Sequence, residues 1–136
     1  MDDVEEIKKL KARYFRTLDT KDWGAYREVF ADDVVVDLST AGGEVWRGIE
    51  AFMEYVRGLT LVQSVHQGHM PEIDLTSETT ATGIWALNDI IIWSSGMRLD
   101  GYGHYHETYR KVDGEWRIAS STLTRLHTDF STVETG

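Results

Sequence analysis

The sequence predicts an α+β domain: N-terminal helices packed into a strongly curved, mixed or antiparallel sheet. Three observations predict it. Apolar residues recur at helical three- and four-residue steps in the first part of the chain. From about residue 61 onward, long runs rich in Thr, Ile, Tyr and Trp alternate with polar residues. Between the last two runs lies Asp113-Gly114, a strong hairpin signal.

The elements follow in order. Over residues 4–18, Ile7, Leu10, Tyr14, Phe15 and Leu18 form an apolar stripe, with Lys8, Lys9, Lys11 and Arg13 on the other side. A second helix is expected over about residues 22–30, capped by Thr20 or Asp22. Val34 to Val36 read as a short strand, and Val45-Trp46 as another. A third helix follows Gly48, with Ile49, Phe52, Met53 and Val56 inward. Four long strands are then expected over about residues 61–75, 79–93, 97–112 and 116–127.

Composition bounds the function. The 136 residues suffice for one domain, expected to span 1–136. Twenty-three acids against 14 bases give a net charge of −9, which argues against nucleic acid or an anionic membrane surface as partner. The absence of cysteine excludes disulfides, zinc–thiolate sites and cysteine nucleophiles. No apolar run approaches a membrane span, and Met1 leads into Asp2, Asp3 and Glu5 rather than a signal peptide. A cytoplasmic protein is expected.

Four residues stand out chemically. His66 shares a strand face with Ser64 and Gly68, whose small size leaves open space beside the imidazole. It suits a pocket residue, or equally a core histidine bonded to backbone. Asp89 lies in the apolar row Trp85, Leu87, Asp89, Ile91 and Trp93, where a carboxylate needs a partner or takes up a proton. That partner is a substrate, a structural Arg or a backbone amide. Asp19 ends the first helix, where the dipole disfavours an anion, unless it belongs to the turn Asp19-Thr20-Lys21-Asp22. Tyr14 lies on the apolar stripe, and its hydroxyl needs a partner when buried. His104 and His106 share a strand face, but without a third ligand no metal site is assigned. Phosphate-binding loops and a nucleophilic serine elbow are missing, and no cofactor is expected.

These residues, in this order, resemble the SnoaL-like branch of the nuclear-transport-factor-2-like superfamily, whose domain is cone-shaped. Within it the chain is most similar to the bile-acid 7α-dehydratase family. The resemblance is carried by residues 7–16 with Leu18-Asp19, by His66-Gln67-Gly68-His69-Met70-Pro71-Glu72-Ile73, and by Thr80-Ala81-Thr82-Gly83 with Trp85 and Asp89. Tyr109, Lys111, Asp113-Gly114 and Arg125 complete it. Scytalone dehydratase is a more distant relative, similar at Asp19, Lys21-Asp22-Trp23 and His66. Leu18 and Leu38 stand where that enzyme has tyrosines. The loop around residues 96–103 looks shorter than in the bile-acid enzymes.

The resemblance implies a catalytic set of Tyr14, Asp19, His66 and Asp89, with Arg125 contacting substrate; Trp85 and Tyr105 are also expected to contact substrate. It implies a cofactor-free dehydratase acting on a hydrophobic polycyclic enone or ketone, with a steroid-like substrate favoured, and a homo-oligomer (dimer or trimer). His66 would be the base, with Asp89 or Asp19 orienting it. Two rivals remain: a double-bond isomerase with the same base, and a non-catalytic carrier of small ligands.

Overall fold

The computed structural model describes residues 2–134. Helix α1 (Asp3–Asp19) starts at Asp2, whose carboxylate accepts the Val4 N–H. Helix α2 (Trp23–Arg27) is shorter than the sequence pattern suggested, because Phe30 already opens a strand. Asp22 is its cap, accepting the Ala25 N–H. Strand β1 (Phe30–Asp37) is correspondingly longer than expected. After a single 3-10 turn come β2 (Val45–Arg47) and α3 (Ile49–Arg57). The long strands are β3 (Leu61–Leu75), β4 (Thr80–Trp93), β5 (Met97–Val112) and β6 (Glu115–Thr132).

All six strands form one mixed sheet in the order β2-β1-β6-β5-β4-β3. Only β1 and β6 run parallel; the other neighbours are antiparallel. The β5–β6 turn has φ of 53° at Asp113 and 81° at Gly114, the two positive angles that a tight twisted hairpin requires.

The sheet closes over α1 and α3. Ile7, Leu10, Tyr14 and Leu18 from α1 meet Phe52, Met53 and Val56 from α3, and Tyr105, Tyr109, Trp116 and Ile118 from the sheet. One expectation for α1 is overturned. Lys11 is fully buried, not on the solvent side with Lys8, Lys9 and Arg13. Its position, four residues after Ile7 and three before Tyr14, lies on the apolar stripe itself. Among the described residues, no helix is long and apolar enough to cross a membrane.

Two irregularities set the inner face of β6. Trp116 and Ile118 point inward, and strict alternation would then send Ser120, Thr122 and Thr124 inward. A register shift opposite Thr108/Tyr109 inserts one residue instead. Parity flips, and Ser121, Leu123 and Arg125 face the interior. A second shift follows directly after Arg125.

Candidate active site

The site lies between α1 and the inner faces of β3 to β6. The last residue of α1, Asp19, turns its side chain toward β3 rather than into the turn that follows. One carboxylate oxygen accepts the His66 backbone N–H at 2.7 Å. The other lies 2.7 Å from His66 Nδ1 and accepts the Ser64 hydroxyl at 2.9 Å. Three donors on one carboxylate fix it as an acceptor. They also repay the unfavourable position of an anion at a helix C-terminus. The tautomer that fits has the proton on Nδ1, donated to Asp19, with the Nε2 lone pair free.

The space beside His66 is not open at Gly68, as the small side chain suggested. A Cβ there would lie 2.6 Å from the Phe15 ring and 3.2 Å from Trp85. Phe15 fills that space and stacks nearly parallel to the imidazole, 6.5 Å between centroids and 15° between planes. The Asp19 bond and the Phe15 face together fix the ring's orientation.

Asp89 pairs with His66 in cross-strand register. Its side chain is 2% exposed, and it is bound bidentately by Arg125, at 2.7 and 3.0 Å. Its distance to His66 Nε2 is 3.8 Å, too long for a hydrogen bond. Of the two carboxylates that the sequence left unranked, Asp19 therefore holds the imidazole, and Asp89 faces its free nitrogen across a gap. The guanidinium reaches Asp89 by passing over Gly101. A Cβ there would meet Arg125 Nη1 and lie 2.5 Å from Asp89 Oδ1, so this pair requires glycine. Its hydrogen bond and charge attraction to Asp89 hold the Arg125 guanidinium above its ordinary range, although desolvation opposes them.

These groups face a cavity of about 200 Å³. Tyr14, Tyr26, Tyr105, His66, Asp89 and Arg125 line it together with apolar residues from α3 and the sheet. The volume exceeds that of an engineered cavity that holds benzene, about 150 Å³. The partly exposed lining residues Leu38, Leu59, Leu61 and Trp93 mark its mouth. Tyr14 is buried, and desolvation pushes its phenol well above the ordinary range. The rings of Tyr26 and Tyr105 pack against it, with centroids 5.4 and 5.8 Å away.

The structure thus brings Tyr14, Asp19, His66, Asp89, Arg125 and Tyr105 together. Trp85 stands apart from the cavity lining, with its indole N–H donating to the Tyr109 hydroxyl at 3.0 Å. Sequence reasoning missed Ser64 as an Asp19 donor and Phe15 as the His66 stacking partner. It also missed the buried ion pair of Lys11 with Glu107, 2.8 Å apart. The signal for Glu107 was present: it alternates with Tyr105 and Tyr109 on the inward face of β5. Among the described residues, no group of three or more His, Cys, Asp or Glu is placed to hold a metal ion.

Comparison with known proteins agrees with this architecture. A provisionally assigned scytalone dehydratase from Novosphingobium aromaticivorans superposes with a TM-score of 0.86 at 23% identity, over 97% of this chain and 89% of that one. The hexachlorocyclohexane dehydrochlorinase LinA-type3 from Novosphingobium barchaimii superposes with a TM-score of 0.81 at 16% identity, over 98% and 92% of the two chains. At these identities the likeness concerns the fold. In sequence, the chain is 22% identical over 134 residues to "Probable cyclase FGR4" of Gibberella zeae, covering 89% of each. The SnoaL-like domain model matches residues 1–122, and the chain belongs to that family.

Proposed function

We propose that this protein is a cofactor-free dehydratase acting on an uncharged, hydrophobic cyclic enone or ketone, with His66 as the proton-transfer residue. The observation that carries the reading is the Asp19–His66 contact of 2.7 Å at Nδ1, which leaves Nε2 facing the cavity. An imidazole held this way accepts a carbon-bound proton at neutral pH. As Nε2 becomes protonated, Asp19 stabilises one nitrogen and Asp89, 3.8 Å away, the other. The Tyr14 hydroxyl donates to the substrate carbonyl as charge moves onto its oxygen. His66 then returns its proton to the departing hydroxyl. The C–H and C–O bonds break, one C=C bond forms, and water leaves with no net change at the enzyme.

The charges favour an uncharged substrate. Arg125 is paired with Asp89 and Lys11 with Glu107, so among the described residues an anionic ligand finds no unpaired Lys or Arg at the cavity. It would also face Asp89, the carboxylate that lines the cavity. By volume, one or two rings fill the enclosed space. The remaining rings of a steroid-like substrate would lie across the mouth.

The test is an ultraviolet assay with steroid and smaller cyclic enones carrying a hydroxyl at the δ carbon, run beside His66→Ala. A red shift with loss of water by mass, abolished in the variant, is the expected result. Full turnover in His66→Ala would refute the assignment of the base. Binding without chemistry across the panel would favour a carrier.

A further inference from the structure

Behind the aromatic wall of the cavity lies a second set of charges to which the elimination assigns no task. Lys11 and Glu107 side chains are both 0% exposed, with Nζ 2.8 Å from Oε2. Glu107 also accepts the Ser121 hydroxyl at 3.1 Å and the Tyr109 hydroxyl at 2.8 Å. With three donors, this carboxylate is fully satisfied as an anion. Among the described residues, the ammonium has one such partner, Glu107. Its other neighbours are π-faces: Nζ lies 3.7 Å from the ring centroids of both Tyr14 and Tyr105, and 4.9 Å from that of Phe15.

Stability alone is a poor account of this arrangement. A buried ion pair is often matched or bettered by apolar residues of similar volume. The aromatic rings here would pack as well against a methionine. What an apolar side chain lacks is charge on the ring face. A cation there draws electron density out of a phenol and strengthens its O–H as a hydrogen-bond donor. The effect is large where water is excluded. Tyr26 and Tyr105 pack their rings against Tyr14, 5.4 and 5.8 Å between centroids, and keep water from this side of it. Tyr14 lines the cavity, where its hydroxyl meets a bound ligand.

We propose that Lys11, anchored by Glu107, is a positioning residue that polarises the Tyr14 phenol from behind and so strengthens its hydrogen bond to the oxyanion formed in the cavity. This rests on the reading of Tyr14 as the carbonyl donor. Burial keeps Tyr14 protonated, so the residue donates and does not act as a base. Burial also draws the Lys11 ammonium below the ordinary lysine range, with the Glu107 carboxylate opposing it.

The probe is 4-nitrophenol, a single ring of a size the cavity accepts, whose neutral and ionised forms have different spectra. Its pKa when bound is measured for the wild-type protein and for three variants: Tyr14→Phe, Lys11→Met/Glu107→Gln and Lys11→Gln/Glu107→Gln. Both double variants remove the two charges together, so neither charge is left buried alone. The expected result is a bound pKa about one unit higher in a folded double variant, a tenfold loss of preference for the phenolate. Affinity for neutral 4-nitroanisole should be retained, which a collapsed or distorted cavity would not allow. Tyr14→Phe should raise the bound pKa at least as far.

A folded double variant with an unchanged bound pKa, while Tyr14→Phe shifts it, overturns the role of Lys11 and leaves Tyr14 as donor. No shift in any variant, or no binding of the probe, overturns both. The charge itself is read in the wild-type protein from the 15N resonance of Lys11 Nζ at pH 7. A neutral amine there overturns the proposal whether or not the double variants fold.

Discussion

Removing Arg125 strands a carboxylate in the interior, and the cost follows from the geometry. Asp89 is 2% exposed at its side chain, and the guanidinium that holds it is 14% exposed, with bonds of 2.7 and 3.0 Å. Two unit charges about 4 Å apart at an effective dielectric of about 20 interact by about 4 kcal/mol. Breaking a buried pair from one side costs about 3–5 kcal/mol, because the remaining charge is left without compensation. Arg125→Met keeps most of the side-chain volume, so the loss is chiefly electrostatic. About 3–4 kcal/mol is expected in urea unfolding at pH 7, or roughly 10–15 °C in melting midpoint for a chain of this size. The double variant Asp89→Leu/Arg125→Met removes both charges and should return to within about 1 kcal/mol of the wild type.

The sign of the pH dependence is a second check on the same variant. Without its cation, buried Asp89 prefers the protonated form, so its folded pKa rises above the unfolded value of about 3.9. The variant's deficit should then be small near pH 4 and grow as pH rises toward 7. The freed Asp89 side chain also gains access to His66 Nε2, 3.8 Å away in the wild type, and should occupy the proposed base. A single-variant loss below about 1 kcal/mol, with no coupling in the double-mutant cycle, would refute the claim that this pair is a compensated buried charge.

Three further outcomes are expected. Asp19→Asn should cut turnover by about 10²- to 10⁴-fold, because the amide cannot serve as an anionic acceptor for His66 Nδ1; an active variant with wild-type rate on an established substrate would contradict this. Gly68→Ala should destabilise by about 1–3 kcal/mol in urea unfolding, since its Cβ would lie 2.6 Å from the Phe15 ring, and unchanged stability would show that Phe15 moves freely. Asp3, Asp33, Asp37 and Asp100 are held below the ordinary carboxylate range, chiefly by hydrogen bonds from Trp116, Arg110, Ser39 and Arg98 respectively. Their contribution is therefore present above about pH 4 and lost as pH falls through the lower folded values. A melting midpoint that rose between about pH 4 and 3 would contradict the sign.

Much of this protein is legible from sequence because local rules act alone there. The stripe of Ile7, Leu10, Tyr14 and Leu18 fixes α1, and Asp113-Gly114 fixes the last hairpin. The row of Trp85, Leu87 and Asp89 identifies the inner face of β4, since alternation needs no partner strand to be read. The family resemblance, not periodicity, singles out Tyr14, Asp19, His66 and Asp89 as a set, and neither reveals how they are placed relative to one another. Whether Asp19 or Asp89 holds His66 depends on where the end of α1 falls against β3, contacts 47 residues apart in the chain.

Lys11 shows the limit from the other side. Helical spacing from Ile7 puts it on the apolar stripe, but a lysine is ordinarily solvated and so reads as part of the polar face; the arrival of Glu107 from 96 residues away makes its burial tolerable. Arg125 is the clearest case of tertiary decision. Counted from Trp116, its parity places it outside. One inserted residue in β6 turns it inward, and Gly101 on β5 leaves the room for it to reach Asp89. Periodicity determines which elements form and which face of each is apolar. Register, bulges and the pairing of buried charges depend on strands and helices distant in sequence, and these decide which polar groups share the cavity.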